Sequence, residues 1–228
     1  MCGRFVAASD PEGLVRFFVV DDRKDDDLPP NYNVAPTDPV GAVAEHGDSR
    51  YLVTFRWGLV PPWASSPKAA ATMINARAES VLQKPAFRDA ARRRRCLIPA
   101  DGFYEWRVDG DGVKVPHFIR RSDRQPMAFA GLWESWRDQN TGTAPLRTCT
   151  IITRAAQGPV AALHDRMPLA LDPHHWEAWL ATDTPREEVL AILHADPPEL
   201  THHAVSPRVN TVANNDAGLL EPAGKPAP

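Results

Sequence analysis

Strand-like runs outnumber helix-like ones along this chain. PVGAVAEH (39–46) and YLVTFRW (51–57) are predicted to pair as a hairpin across a Gly47-Asp48-Ser49 turn. KVPHFIR (114–120) and MAFAGLW (127–133) are predicted to be strands of a second antiparallel group. LIPADGFYEW (97–106) has an apolar start, a turn at Ala100-Asp101-Gly102 and an aromatic-rich end. RTCTIITRA (147–155) is the most β-branched run and is predicted to be a central strand. HHAVS (202–206) is predicted to be the last strand.

Helical signals are fewer. Ser9-Asp10-Pro11-Glu12 has the form of a capping box that opens a short helix through Leu14, Phe17 and Phe18. Residues 86–95 look helical and end in four arginines, Arg92 to Arg95. Asp172-Pro173 starts a helix with Trp176, Trp179 and Leu180 on its inner face. Thr184-Pro185-Arg186-Glu187 starts another as a capping box with proline at the first helical position. Asp21 to Asp27 is an acidic, solvated loop, NYNVAPT (31–37) is polar and aperiodic, and 108–113 is a turn rich in Asp and Gly. There is no internal repeat and no stretch that marks a domain boundary. These elements predict one α+β domain over residues 1–222, a bent antiparallel sheet or open barrel-like core with helices at its periphery. Order is expected to fail from residue 217 on, leaving 223–228 as a disordered tail.

Composition narrows the function. A length of 228 residues allows a sizeable core, and 43% hydrophobic with 24% charged residues is ordinary globular usage. Twenty-three prolines suit short elements joined by many loops. The net charge of -3 excludes a globally basic nucleic-acid protein, so any DNA-binding surface must be a local concentration of Arg and Lys. Three cysteines, Cys2, Cys96 and Cys149, are an odd number without CxxC spacing. That argues against a disulfide framework or a bound metal and for a reducing compartment. No signal-peptide pattern opens the chain and no apolar run approaches the ~18 residues of a membrane span, so a cytoplasmic protein is expected.

The candidate chemistry starts at Met1-Cys2-Gly3-Arg4-Phe5. Initiator methionine is usually removed ahead of a small residue. Its removal leaves Cys2 carrying an α-amine and a thiol two bonds apart. With a reference pKa of about 7.7–8.0, roughly a tenth of the amine is unprotonated at neutral pH. Amine and thiol can attack one aldehyde in turn, first as an imine and then by closing a five-membered thiazolidine; the second step is intramolecular. The plain alternative is an ordinary cysteine near a frayed end. In INARAE (74–79), Asn75, Arg77 and Glu79 share one face of an extended segment, as a solvated edge or as one wall of a site. Glu105, between Tyr104 and Trp106, has a raised pKa if buried and is unremarkable if it faces outward. His164-Asp165-Arg166 follows the central strand and is a candidate site. In WGLVPPWA (57–64), a stiff Pro-Pro segment flanked by Trp57 and Trp63, the tryptophans belong to the core or form a stacking platform for bases. The run Arg92–Arg95 is a solvated helix end or a phosphate contact.

MCGRF, NYNVAP, WGLVPPW, INARAE, IPADGFYEW, AGLWE, IITRAA, LHDRMP and AVSPRVN occur in the order seen in the SRAP family, the SOS-response-associated peptidases. The resemblance runs from residue 2 to about residue 222, and nine weak motifs in one order are together highly specific. It implies capture of abasic sites in single-stranded DNA as a thiazolidine crosslink on the N-terminal Cys, shielding the lesion. It also implies a thiol-dependent peptidase that frees its own Cys and a possible strand-cleaving lyase. With only Met1 ahead of Cys2, an ordinary aminopeptidase would suffice.

Carried over by the resemblance, Cys2 is the nucleophile, Asn75 holds the Cys2 end and the sugar, and Glu105 shuttles protons. His164 assists ring opening and the reverse reaction. Arg4, Arg77 and Arg166 hold phosphates beside the lesion, and Asn33, Pro36, Trp63 and Thr153 line the DNA groove. No cofactor or metal is implied. A monomer associated with the nucleoid when bound to DNA is expected. Ala64, Lys84 and Pro85 depart from the aromatic and the Arg that some members carry, which touches the DNA path rather than the chemistry. Two other classes stay open: an N-terminal-nucleophile amidohydrolase or cysteine peptidase, and a non-covalent reader of modified bases, which does not need Cys2.

Overall fold

The computed structural model describes residues 2–138 and 144–224. Its fold is α+β, as expected, and is dominated by two sheets. The first runs β13 (Leu200–Ala204), β9 (Lys114–Arg121), β8 (Gly102–Val108), β1 (Phe5–Ala7) and β3 (Asn31–Val34). The second runs β12 (Arg166–Pro168), β11 (Leu146–Ala155), β10 (Met127–Trp136), β7 (Arg95–Ala100), β4 (Pro39–His46), β5 (Ser49–Trp57) and β2 (Asp22–Arg23), with β6 (Asn75–Arg77) added to β11. The strands β1 and β3 escaped the sequence reading because three or four residues are too few for alternation to register.

The β4–β5 hairpin and the central β11 lie where the sequence predicts them. β11 pairs with β10, β12, β5 and β6. Its Thr148 and Cys149 lie parallel to Arg56 and Trp57, and this short ladder closes β11, β10, β7, β4 and β5 into a ring. The barrel is therefore closed rather than open, and the closing ladder is parallel. Gly58 permits the closure. Its N–H donates to the Cys149 carbonyl at 2.8 Å, its φ is 122°, and a Cβ there would stand 2.3 Å from the Ala70 carbonyl oxygen.

The predicted second strand group is not one sheet. Lys114–Arg121 pairs with β8 and β13, whereas Met127–Trp136 pairs with β7 and β11. The chain switches sheets at Asp101 and again across 122–126. Gly102 makes the first switch possible, because a Cβ there would lie 2.4 Å from the Phe118 ring. The two sheets are joined through Phe5, whose ring meets Trp57 edge-on at 5.1 Å and Phe129 at 6.0 Å.

Both predicted capping boxes fail because the hydroxyl bonds outside its helix, Ser9 to the distant Asp101 and Thr184 to carbonyls at the end of the preceding helix. Asp10, not Ser9, caps α1 (Pro11–Phe18) by accepting from Gly13 N–H, while Ser9 Oγ donates to Asp101. Thr184 Oγ1 donates to the Ala178 and Ala181 carbonyls, and the helix at Arg186–Leu193 has no side-chain cap. The Asp172-Pro173 start gives a single 3₁₀ turn followed by a short helix, Trp176–Leu180, which buries Trp176, Trp179 and Leu180. The tail expectation is corrected as well. Ala217–Leu220 forms a 3₁₀ turn whose Leu219 is buried with Val205, Val209 and Tyr104, and Ala223 N–H donates to Ala204. The remainder of the predicted tail, 225–228, lies outside the described residues.

The arginine run splits. α2 spans Arg88–Arg93, leaving Arg92 and Arg93 exposed. Arg94 pairs with the buried Glu134 at 2.5 Å. Arg95 begins β7, is 4% exposed, and donates to the carbonyls of Ala91, Arg92, Trp179 and Ala181, which excludes it as a phosphate contact. Arg95→Met should strand those acceptors and lower the urea unfolding free energy by about 3 kcal/mol or more. Arg92→Ala and Arg93→Ala should each stay within about 0.5 kcal/mol of the parent. Equal stability of all three would refute the anchoring role.

Candidate active site

The N-terminus reaches its place by strand pairing. Phe5 lies opposite Phe103 on one side and Val34 on the other, so β1 is held between β8 and β3. Continuing the β1–β8 register by two residues brings Gly3 opposite Glu105. Tyr104 N–H donates to the Arg4 carbonyl at 3.0 Å and locks this register. From the other sheet, β6 runs parallel to β11 with Asn75 beside Ile151, and Asn75 Nδ2 donates to the Cys2 carbonyl at 2.8 Å. Cys2 is therefore gripped at the seam of the two sheets and is fully buried, not frayed. Its Sγ lies 3.9 Å from the Arg4 carbonyl, a weak thiol hydrogen bond.

Burial sets the electrostatics. It pushes the Cys2 thiol far above its ordinary range, and the nearby Glu105 carboxylate pushes it further. Glu105 is 3% exposed, and burial likewise raises its carboxyl, with His164 pulling in the opposite direction. The outward-facing reading of Glu105 is thus replaced by the buried one. His164 is half-buried after the 3₁₀ turn Gly158–Ala162. Its Nδ1 accepts from Arg166 N–H at 2.9 Å and lies 2.8 Å from the exposed Asp165 carboxylate. With the backbone N–H donating, Nδ1 is the acceptor in the neutral ring and Nε2 carries the proton. Asn75 Oδ1 is buried with no hydrogen-bond partner among the described residues, an acceptor beside Cys2. Cys96 and Cys149 are buried and free, and burial raises both thiols.

The arginines differ from one another. Arg77, two residues along β6 from Asn75, is exposed and makes no ion pair among the described residues. Arg4 donates to Asn33 Oδ1 at 2.8 Å and to the Val209 carbonyl at 3.0 Å. Arg166 is clamped, donating to both Glu79 oxygens at 2.6 and 3.0 Å and to the Thr153 carbonyl at 2.7 Å. Hydrogen bonding to Arg166 holds the Glu79 carboxyl below its usual range. Sequence reasoning assigned Glu79 no partner, although its place on the Asn75–Arg77 face was the available signal.

Asn33 and Thr153 are not groove surface. Both are 1% exposed, and they hold the guanidiniums of Arg4 and Arg166 in place. Pro36 is half-buried in a tight turn whose next residue, Thr37, has φ 79°, a strained value for a β-branched residue. The two tryptophans divide the readings offered for them: Trp57 is in the core, and Trp63 is 60% exposed. Met1 lies outside the described residues. Among those residues, no three His, Cys, Asp or Glu side chains gather around one point, and no helix is long and apolar enough to cross a membrane.

A strand-held cysteine at residue 2, a buried carboxylate beside it and an asparagine bridging from the barrel belong together in one kind of protein. The chain is a member of the SOS response associated peptidase (SRAP) family, whose sequence profile matches residues 1–212. It is 39% identical over 224 residues to the abasic site processing protein YoaM of Bacillus subtilis, covering 97% of this chain and 98% of that one. It is 30% identical over 229 residues to the abasic site processing protein YedK of Escherichia coli, with 97% and 100% covered. In fold it matches the crystal structure of a Bacteroides thetaiotaomicron protein with a TM-score of 0.84 at 23% identity, covering 97% of this chain and all of that one.

The raised Glu105 carboxyl makes a stability prediction. A group whose pKa is raised on folding stabilises the fold below its unfolded value and loses that contribution as pH rises through the folded value. Glu105→Gln should therefore melt higher than the parent at neutral pH, by about 2–4 °C per kcal/mol of relieved desolvation. The gain should vanish below the ordinary carboxylate range. Thermal melts across pH test this, and a variant less stable at neutral pH would show that Glu105 is a structural ion-pair partner.

Proposed function

We propose that this chain captures abasic sites in single-stranded DNA as a thiazolidine on Cys2, once Met1 has been removed. The observation that carries the reading is the burial of Cys2 against Glu105 with its carbonyl held by Asn75. The relatives are named for abasic site processing, which supports it.

An abasic deoxyribose opens to an aldehyde, with His164 assisting the opening. The neutral α-amine adds to that carbon, and with one proton given by Glu105 the oxygen leaves as water, giving an iminium. Cys2 Sγ then adds to the same carbon and its proton passes to Glu105. One water is released, and one proton as well when the amine starts as ammonium. Asn75 fixes the nucleophile through the Cys2 carbonyl and offers Oδ1 to a donor of the amine or the sugar. Without the sulfur step the imine is open to β-elimination, which is the lyase branch. Removal of Met1 needs either an aminopeptidase or the family's own thiol-dependent peptidase activity. An acyl-transfer enzyme fits less well: the side-chain amide nearest Cys2, which could have served an oxyanion, is already bonded to the Cys2 carbonyl.

In this reading Arg77 is the exposed phosphate contact, and Trp63 a stacking surface for a neighbouring base. Arg4 and Arg166 are held on site by Asn33, Thr153 and Glu79, with Pro36 shaping the wall beside Arg4. The protein acts as a monomer in the cytoplasm, on DNA of the nucleoid.

Mature wild type should give an adduct with a single-stranded abasic oligonucleotide that survives denaturing electrophoresis without reductant. Cys2→Ala should give only an imine trapped by borohydride. A form that retains an N-terminal extension should give neither. If the extended form crosslinks as fast as the mature one, the N-terminal mechanism is wrong. Arg77→Ala should weaken binding before crosslinking and reduce the salt slope by about 0.7, one phosphate's share on a single strand. Fluorescence anisotropy across salt concentrations measures this, and an unchanged slope removes Arg77 from the contact set.

A further inference from the structure

We infer that His117 and His202 form the route by which a proton leaves the buried pocket, with His117 exchanging protons with Glu105 and His202 delivering them to solvent. The inference rests on the crosslinking reading above and adds two residues that it does not use.

The sheet register builds the route. Glu105 on β8 and His117 on β9 are direct cross-strand partners, so both side chains leave the sheet on the same face, with Cβ atoms about 4.5–5.5 Å apart. Ala204 on β13 is the direct partner of His117, so His202, two residues away, shares that face too. His117 Nδ1 lies 3.1 Å from His202 Nδ1. β9 lies between β13 and β8. Nδ1 is engaged toward β13, so Nε2 is the ring nitrogen left for Glu105, to which it is not hydrogen-bonded; the transfer closes that gap by a side-chain rotation or one bridging water. His117 is 5% exposed, and its Nε2 is buried without a hydrogen-bond partner among the described residues. Buried polar atoms of that kind are uncommon and call for an explanation. His202 is half-buried and reaches solvent.

The charges around the pair keep it neutral. On its own face His117 meets Glu105 and Arg107 from β8 and His202 from β13, while His203 lies on the opposite face against Phe118 and acts on His117 only through its charge. Burial, then His202, Arg107 and His203, push it down to about 4. Burial also lowers His202, with Arg107 and His203 adding to it. Two neutral imidazoles in Nδ1–Nδ1 contact share a single hydrogen. If His117 Nδ1–H donates to His202, then His117 Nε2 is a lone pair on the sheet face it shares with Glu105. The Glu105 proton moves to Nε2, the Nδ1 proton moves to His202 Nδ1, and His202 Nε2–H is released to water. Nothing but protons moves, and the charge that enters at Nε2 leaves at His202.

The chemistry needs such a route. The α-amine is mostly ammonium at neutral pH, so one proton must leave the pocket for each adduct formed. Cys2 and Glu105 are both out of contact with bulk water.

The test is single-turnover adduct formation by mature protein on an abasic single strand, across neutral pH, with and without added imidazole. His117→Gln should slow the reaction at least about tenfold while leaving oligonucleotide binding unchanged, because positioned proton transfer typically contributes 10²–10⁴-fold. Imidazole should restore its rate in proportion to concentration and leave the wild type unaffected. A slow variant with the wild-type pH profile and no response to imidazole overturns the relay, since a packing defect alone would behave that way. Equal rates for wild type and H117Q overturn it as well. If H117Q lacks a cooperative melt, His202→Ala carries the same test with the same outcomes. A wild type that forms no adduct overturns the crosslinking reading and the relay together, whereas a reactive wild type beside an equally fast variant overturns the relay alone.

Discussion

The rest of the site depends on the pairing of β1 between β8 and β3. A chain terminus ordinarily frays, because its last residues make too few contacts to offset their conformational entropy. Here Phe5 supplies the missing contacts by filling the gap between Trp57 and Phe129, and the ladder on both sides satisfies the backbone. With Phe5 anchored, Cys2 has little freedom left, and the Asn75 hydrogen bond removes the remainder. Under the proposed reaction, intramolecular attack gains from such restriction, since little rotational freedom remains to be lost in the ring-closing step. The barrel's closure matters for the same reason. It fixes β11, β11 fixes β6, and β6 carries Asn75 to Cys2.

The charged groups around the pocket explain how a chain of net charge -3 can present a basic site. Arg166 is held between the Glu79 carboxylate and the Thr153 carbonyl, and Arg4 between Asn33 and Val209. Both guanidiniums are oriented before any ligand arrives, so less side-chain entropy is lost on contact. The cost is that Glu79 already neutralises Arg166, which leaves Arg77 as the exposed charge on that wall. Acidic residues elsewhere, such as Asp21 to Asp27, contribute to the net charge from another part of the chain.

The sequence made the composition of the site legible and its geometry only in part. Alternation in INARAE placed Asn75, Arg77 and Glu79 on one face; β6 carries Asn75 and Arg77 in that pattern, while Glu79 lies in the turn beyond the strand. Cys2 and Glu105 were visible as chemistry, but nothing local says that residue 2 is buried: that follows from a register between segments a hundred residues apart. Hydroxyl caps misled at Ser9 and Thr184 because other partners, the distant Asp101 and the Ala178 carbonyl of the preceding helix, outcompeted the helix ends. The arginine run misled because a helix-to-strand boundary falls inside it. Leu219 could not be foreseen as core, since its cluster draws on Tyr104, Val205 and Val209. His117 and His202 gave no signal at all in one dimension, because two short strands and their register create the pair.

Burial also bears on when the site is reactive. A thiol with a raised pKa is a poor nucleophile and a poor target for oxidants, because the thiolate is the reactive form. Glu105, itself raised by burial, retains its proton more readily than a carboxyl in water. The empty pocket therefore favours its neutral forms, and free aldehydes or peroxides meet little thiolate. Under the proposed reaction the first step changes this balance. An iminium is a cation formed beside both groups, and a positive charge in a low-dielectric pocket favours carboxylate and thiolate alike. The imine step thus activates the sulfur that closes the ring. In that reading reactivity tracks occupancy by an aldehyde held long enough to condense, which the proposed arginine contacts would provide for a sugar flanked by phosphates and not for a small aldehyde in solution.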